Sequence, residues 1–145
     1  MHIVTHFLVA PEEDIADIGD AIKPLKSWRG IERRGVDSEK LVMLHSLLTD
    51  DAFDLAVSFY EPVYVSDEGA MVLPLAARLL DALTDLDEES LETLAEELAA
   101  SESFELEGWP VDEVHDLLID LADLAQQAAG EELPLLMRIS PLLAG

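Results

Sequence analysis

Three consecutive segments between Pro74 and Gly130 repeat their apolar residues with a helical period. The first segment follows Pro74, and the second follows Asp87. The longest begins at Pro110, and we expect it to end at Gly130. Proline and aspartate are both favoured at helix N-termini, and glycine is favoured just past a C-terminus. Each segment has one apolar and one charged face, so each must pack against another layer of structure. The predicted apolar faces consist of Leu75, Ala76, Leu79, Leu80, Leu83, Leu91, Leu94, Ala95, Leu98, Val111, Val114, Leu117, Leu118, Leu121, Leu124, Ala125 and Ala128.

Strand signals at both ends of the chain and near its middle predict what this other layer is. Residues 2–9 and 133–140 are short, nearly continuous hydrophobic runs, typical of buried strands. Residues 63–66 and 70–73 read as a hairpin, with Gly69 in the turn. Pro134 lies near the start of the last strand, so we expect that strand toward a sheet edge.

Three further helices are expected in the first half of the chain. Residues 11–22 begin with a proline and carry a stripe formed by Ile15, Ile18 and Ile22, and residues 37–49 begin at Asp37. Residues 52–59 fit a helix or a strand, and a short helix is favoured because Pro62 follows.

These elements predict an α+β fold, with a small, largely antiparallel sheet packed by about five to six helices. The sheet would combine the N-terminal strand, the central hairpin and the C-terminal strand. At 145 residues, half of them hydrophobic, the chain is expected to form a single domain over residues 1–145.

Charge is distributed very unevenly along the chain. Residues 1–49 hold eight acidic and six basic residues, whereas residues 50–145 hold 24 acidic residues against Arg78 and Arg138. A net charge of -24 repels nucleic acids and anionic lipids, so we expect neither as a partner. The same charge attracts basic proteins. It would equally keep the protein soluble, or reflect a salt-rich cytoplasm.

Composition and missing motifs exclude several classes of site. The chain has no cysteine, and therefore no disulfide or thiolate chemistry. Residues 1–10 lack the features of a secretory signal, and the longest apolar run has eight residues against the roughly 20 of a membrane span, so a cytoplasmic protein is expected. None of the HExxH, GxSxG, Walker or GxGxxG motifs occurs, and we expect no metal or cofactor.

The acidic helix faces form the main candidate binding site. Carboxylates on outward faces stay ionised in water, so they favour attraction of a basic partner over acid–base catalysis. We therefore favour a non-enzymatic module that binds a basic protein, such as an immunity-type inhibitor of a cationic toxin. The candidate residues are Asp112, Asp116, Asp120, Asp123, Glu89, Glu92 and Glu96.

An alternative site would combine His45 with the basic segment 23–36, predicted to be a loop because Pro24, Gly30 and Gly35 interrupt it. There Trp28, Arg29, Arg33 and Arg34 could hold an anion for a small-ligand protein or enzyme. We favour instead salt bridges from this segment to acids of the same molecule. His45 lies at the edge of an apolar stripe, so a structural role is favoured over a catalytic one.

Three stretches of the sequence resemble the YfbM-like family of small bacterial proteins. They are DSEKLVMLHSLLTD at 37–50, VLPLAARLLDALTDLDEESL at 72–91 and WPVDEVHDLLIDLADLAQQAAGEELPLLMRIS at 109–140. The family's tryptophan in the first motif is replaced by Leu41 or a neighbour, and its glycine after Leu-Leu-Thr is Asp50. The resemblance implies an α+β fold, a bacterial cytoplasmic setting and an unknown function, with no catalytic residues to carry over.

The basic segment of one copy could also meet the acidic helices of another. Homo-oligomerisation is therefore a third interpretation of the charge asymmetry.

Overall fold

The structure is a computed structural model that describes residues 3–141. Its five strands are β1 (Ile3–Val9), β2 (Arg29–Arg34), β3 (Tyr64–Val65), β4 (Met71–Pro74) and β5 (Leu135–Pro141). Its seven α-helices within that range are α1 (Ile15–Asp20), α2 (Ser38–Thr49), α3 (Phe53–Val57), α4 (Ala77–Thr84), α5 (Glu88–Ala99), α6 (Glu102–Glu105) and α7 (Val111–Glu131). Short 3-10 turns occur at Glu12–Asp14 and Pro24–Lys26.

The strands form one antiparallel sheet in the order β2-β1-β5-β4-β3. The two strands from the ends of the chain are therefore neighbours near the centre of the sheet, where His6 lies opposite both Arg138 and Glu32. The predicted α+β class, with an antiparallel sheet packed by helices, is confirmed.

The sheet has a front face, covered by most of the helices, and a rear face, which α1 covers. On the front, Phe7, Met137 and Leu73 join the main core with residues of α2, α4, α5 and α7. On the rear, Leu8 and Leu136 pack with Ile18 of α1. Because β1 and β5 are buried on both faces, they read as continuous hydrophobic runs in the sequence.

Side-chain caps begin two of the helices where the sequence predicts them. Asp37 accepts a hydrogen bond from the Lys40 backbone N–H at 3.0 Å, and Asp87 accepts one from Ser90 at 2.7 Å. These bonds satisfy backbone donors that have no partner inside the helix.

Helix α2 ends at Asp50, which has φ 61° and ψ 11°, in the left-handed region. Glycine adopts this conformation without a steric penalty, and aspartate is among the few other residues that tolerate it. This position is the one at which the YfbM-like family has glycine.

The prediction that residues 23–36 form a loop was wrong, because Arg29–Arg34 is the edge strand β2. Gly30 allows the pairing: a Cβ built there would lie 2.0 Å from the Phe7 carbonyl oxygen of β1. Charged residues lie on both sides of Gly30 and Ile31 and hide the two-residue period of the strand.

The prediction that the last strand lies toward a sheet edge was also wrong, because β5 lies between β1 and β4. Pro134 precedes the strand, so its missing N–H removes no hydrogen bond from the ladders. Its carbonyl oxygen accepts a bond from the Ala10 N–H at 3.4 Å.

Some element boundaries also differ from prediction. Helix α1 ends at Asp20 and leaves Ile22 exposed, and Val111 is exposed at the start of α7. Helix α7 continues through Gly130 and ends at Glu131, followed by Glu132 with φ 57°. No helix within residues 3–141 is long and apolar enough to cross a membrane.

Candidate functional site

Helix α5 separates its apolar and acidic side chains onto opposite faces. Leu91, Leu94 and Leu98 are buried against the core, and α5 packs against α7. Glu89, Glu92 and Glu96 are exposed on the other side. Their spacing of three and four residues places the carboxylates next to one another on one stripe of the helix.

Helix α7 divides the four predicted aspartates into two groups. Asp112, Asp116 and Asp123 are exposed, whereas Asp120 is half-buried and forms an ion pair with Arg33. We define the acidic surface as the six exposed candidates, which are Glu89, Glu92, Glu96, Asp112, Asp116 and Asp123.

Two arginines of β2 attach this edge strand to the middle and the C-terminal end of α7. Arg29 donates to Glu131 Oε2 at 3.1 Å and to Gln127 Oε1 at 3.3 Å, while Arg33 pairs with Asp120. These two side chains therefore form salt bridges or hydrogen bonds within the same molecule, as the sequence favoured. Trp28 donates instead to Asp14 Oδ2 at 3.0 Å, and Arg34 is exposed.

His45 is the centre of a separate buried network. Its exposed fraction is 0%, its Nδ1 lies 2.6 Å from Tyr60 Oη, and its Nε2 lies 2.8 Å from Asp51 Oδ2. Arg78 holds the same carboxylate through two hydrogen bonds, of 3.0 and 3.1 Å. The network ties the end of α2 to α3 and α4.

Two groups in this network have shifted pKa values. The hydrogen bond from His45, supported by those from Arg78, lowers the pKa of Asp51. Burial raises the pKa of Tyr60 far above its ordinary value, so this phenol stays protonated.

The structure does not assemble the alternative pocket from its predicted parts. No hydrogen bond or ion pair in the described chain links His45 to Arg29, Arg33 or Arg34. The arginine of the His45 network is Arg78, which lies 33 positions further along the sequence. Only tertiary packing brings it there, so no local sequence signal could have identified it.

A groove beside the acidic surface is a feature that the sequence did not reveal. It has a volume of about 370 Å³ and runs between the end of α2 and the outer side of α5. Leu48, Leu86 and Leu94 contribute apolar surface, and Glu89 and Glu97 contribute carboxylates. No local sequence pattern marks these residues as a groove, because the groove forms only where the two helices meet.

No group of three or more potential metal ligands occurs among residues 3–141. The carboxylates of the acidic surface are exposed and spread along two helices.

The fold and this surface define an acidic α+β protein with a five-stranded antiparallel sheet. No protein-family profile matches the chain, and no curated protein matches it. Among solved structures, it is similar to YfbM from Escherichia coli, described as a protein of unknown function, with a TM-score of 0.48 and 18% sequence identity. The similarity covers 94% of this chain and 99% of YfbM.

YfbM bears the name of the family whose motifs the sequence resembles. Since YfbM is described as a protein of unknown function, the similarity suggests no activity for this chain.

Proposed function

We propose that this protein is a non-enzymatic interaction module that binds a basic protein on its acidic surface. An inhibitor of a cationic toxin would be one such module. The observation that carries the proposal is that, within residues 3–141, no lysine or arginine lies at ion-pair distance from the acidic side chains of α5.

The ion pairs of the described chain support this proposal. Arg29 and Arg33 pair with Glu131 and Asp120 of α7. Arg78 pairs with Asp51, and Lys40 pairs with Asp37 and Glu107. None of these cations contacts a carboxylate of α5. Its outer stripe therefore carries closely spaced like charges, which repel one another and which a cationic partner would relieve.

The neighbouring groove adds an apolar anchor point to this charged stripe. Long-range attraction speeds the encounter of two proteins, but apolar burial usually supplies much of the affinity. The leucines of the groove, beside Glu89 and Glu97, are suited to an apolar side chain flanked by lysine or arginine. The expected partner segment is therefore both basic and amphipathic.

The proposal is tested by capture from cells that naturally express the protein, at about 50 mM salt. The test variant is the triple substitution Glu89→Gln, Glu92→Gln and Glu96→Gln. The matched control, Glu12→Gln, Glu13→Gln and Asp17→Asn, removes the same charge from exposed positions around α1. Wild type and control should retain the same basic protein, and the α5 variant should lose it.

Purified partner and calorimetry then measure the affinity of each variant. We expect Kd to rise at least about tenfold for the α5 variant, and log Kd to increase with log salt concentration. Recovery of no basic partner, or equal loss with both triple variants, would reject this surface as the docking site.

A further inference from the structure

Four of the eight lysines and arginines have no carboxylate partner at ion-pair distance within the described residues. Arg29, Arg33, Lys40 and Arg78 are paired, as described above. The remaining four are Lys23, Lys26, Arg34 and Arg138. In a chain with 32 acidic residues, the position of these four cations requires an explanation.

The unpaired cations are grouped on the rear side of the sheet. Arg138 lies on the rear face of β5 and binds the end of α1. His6 lies opposite Arg138, and Glu32 lies opposite His6 on β2. Arg34 shares that face because it is two residues beyond Glu32. The two lysines belong to the 22–26 segment, which borders the same region.

A cavity of about 280 Å³ brings both lysines together, and we call it the lysine cavity. It is lined by Lys23 and Lys26 from the turn, by His6 and Glu32 from the sheet, and by the apolar side chain of Ile22. The turn is fixed at Pro24, which is buried and whose carbonyl oxygen accepts a bond from the Trp28 backbone N–H at 3.0 Å.

Glu32 is the only carboxylate among the residues that line this cavity, and one of its oxygens is hydrogen-bonded to His6. His6 Nε2 lies 3.0 Å from Glu32 Oε1, and the histidine is 5% exposed. Its Nδ1 is buried and has no hydrogen-bond partner within the described residues. Two lysines therefore face a single carboxylate in this cavity, and both lysines are exposed to solvent.

A second cavity, of about 270 Å³, adjoins the first and shares Ile22 with it. Arg138 lines it, but the guanidinium donates to the carbonyl oxygens of Ile18 at 2.9 Å and Ala21 at 2.7 Å. The remaining charged residues that line this second cavity are Asp20, Asp67 and Glu68. An anionic group is therefore accepted at the lysines and repelled by its carboxylate-lined neighbour.

We propose that the lysine cavity binds the phosphoryl group of a small phosphorylated molecule. Two flexible ammonium groups act as point charges and suit a phosphate, whose charge of about -1.5 to -2 exceeds that of a carboxylate. The alternative would be a free arginine fork, which binds either group bidentately. Arg138 cannot offer that fork, because its Nε and Nη2 hold α1. Because carboxylates line the neighbouring second cavity, the rest of the ligand has to be uncharged or cationic.

The test is a titration of ¹⁵N-labelled protein with inorganic phosphate and with glycerol 3-phosphate, at constant ionic strength of 0.15 M. At that ionic strength the Debye length is about 8 Å, so the acidic surface acts only weakly on the lysine cavity. Saturable shifts are expected at the backbone amides of His6, Lys23 and Lys26 with both compounds. Acetate should produce no comparable saturation.

Two double variants that remove the same charge separate a site from a general charge effect. Lys23→Gln with Lys26→Gln should weaken phosphate binding at least about tenfold, since both charge-assisted hydrogen bonds to the phosphoryl group are lost. Arg29→Gln with Arg33→Gln should leave binding unchanged. Absence of saturation, equal loss in both variants, exclusion of glycerol 3-phosphate, or equal binding of acetate would each overturn the proposal.

Discussion

His45 shows how burial determines what a histidine does. Both of its ring nitrogens are occupied, by Tyr60 and Asp51, and the ring has no exposed surface. A histidine in this position joins elements together, because a substrate has no access to its nitrogens. In the same network, Asp51 is hydrogen-bonded to both His45 and Arg78, and Tyr60 is hydrogen-bonded to the buried His45 ring.

Replacing His45 by leucine should destabilise the protein without affecting binding at the acidic surface. The substitution leaves the buried Tyr60 hydroxyl and the Asp51 carboxylate without their hydrogen bonds to the ring. We expect the free energy of unfolding to fall by about 2–3 kcal/mol, measured by urea unfolding with tryptophan fluorescence. An unchanged unfolding midpoint would contradict the role of the network.

The lowered pKa of Asp51 predicts an acid-dependent contribution to stability. Its carboxylate is favoured in the folded state, so the stabilisation is present above the ordinary value of 3.8 and is lost as pH falls through the lower folded pKa. The difference in unfolding free energy between wild type and Asp51→Asn should therefore be larger at pH 5.5 than at pH 2.5. Urea unfolding at both pH values measures it, and a difference that grows on acidification would contradict the shift.

At the scale of the elements, the edge strand β2 is the least expected part of the fold. Its arginines suggest a solvated loop, yet they reach over to α7 while Gly30 permits close contact with β1. The ladder to β1, which Gly30 permits, holds this strand in place, and two ion pairs also join it to α7. The strand links the basic segment to both the helical layer and the rear cavities.

Gly30→Ala should disrupt the pairing of β1 with β2. The new Cβ would lie 2.0 Å from the Phe7 carbonyl oxygen and 2.8 Å from Leu8 Cδ2, so backbone must move. We expect a loss of about 3 kcal/mol in unfolding free energy and faster hydrogen exchange of the β1–β2 amides.

Gly130→Ala is the matched control for this substitution. A Cβ at Gly130 meets nothing within 4 Å, and the residue lies in α7. It should stabilise the protein by about 0.5 kcal/mol, through helix propensity. Equal effects of the two substitutions would show that the contact with Phe7 is not decisive.

On the scale of the whole molecule, charge is organised by the two sides of the sheet. The front carries the helical layer with its acidic surface, where the nearby arginines neutralise Asp120 and Glu131 but not α5. The rear carries the cations that have no carboxylate partner in the described chain. A net charge of -24 thus combines a strongly negative front with a locally positive cavity behind it.

This charge distribution predicts that salt stabilises the fold. Raising sodium chloride from 20 to 500 mM screens repulsion between like charges and should raise Tm by about 3–6 °C, measured by calorimetry. The triple glutamine variant of α5 should gain less from added salt than wild type, since part of the repulsion is already removed. A greater salt response in that variant would contradict the assignment of repulsion to α5.

The sequence alone determined six of the seven described α-helices, the hairpin, the two buried terminal strands and the α+β class, but it missed the short helix α6. These features follow from local periodicity and capping, such as the leucines of α5 and the aspartates at positions 37 and 87, which act within a few residues. The exposed carboxylates of the acidic surface were predictable for the same reason, because a helix face is a local property.

Only the tertiary structure decided which neighbour each of these elements has. The central position of β5, the pairing of β2, the Arg78 partner of Asp51 and the rear cavities join residues distant in sequence. Their geometry depends on packing and on backbone approach, as at Gly30, and no local pattern encodes those distances. Tertiary structure likewise decided which charges are neutralised, because ion pairing requires spatial proximity that the composition does not contain.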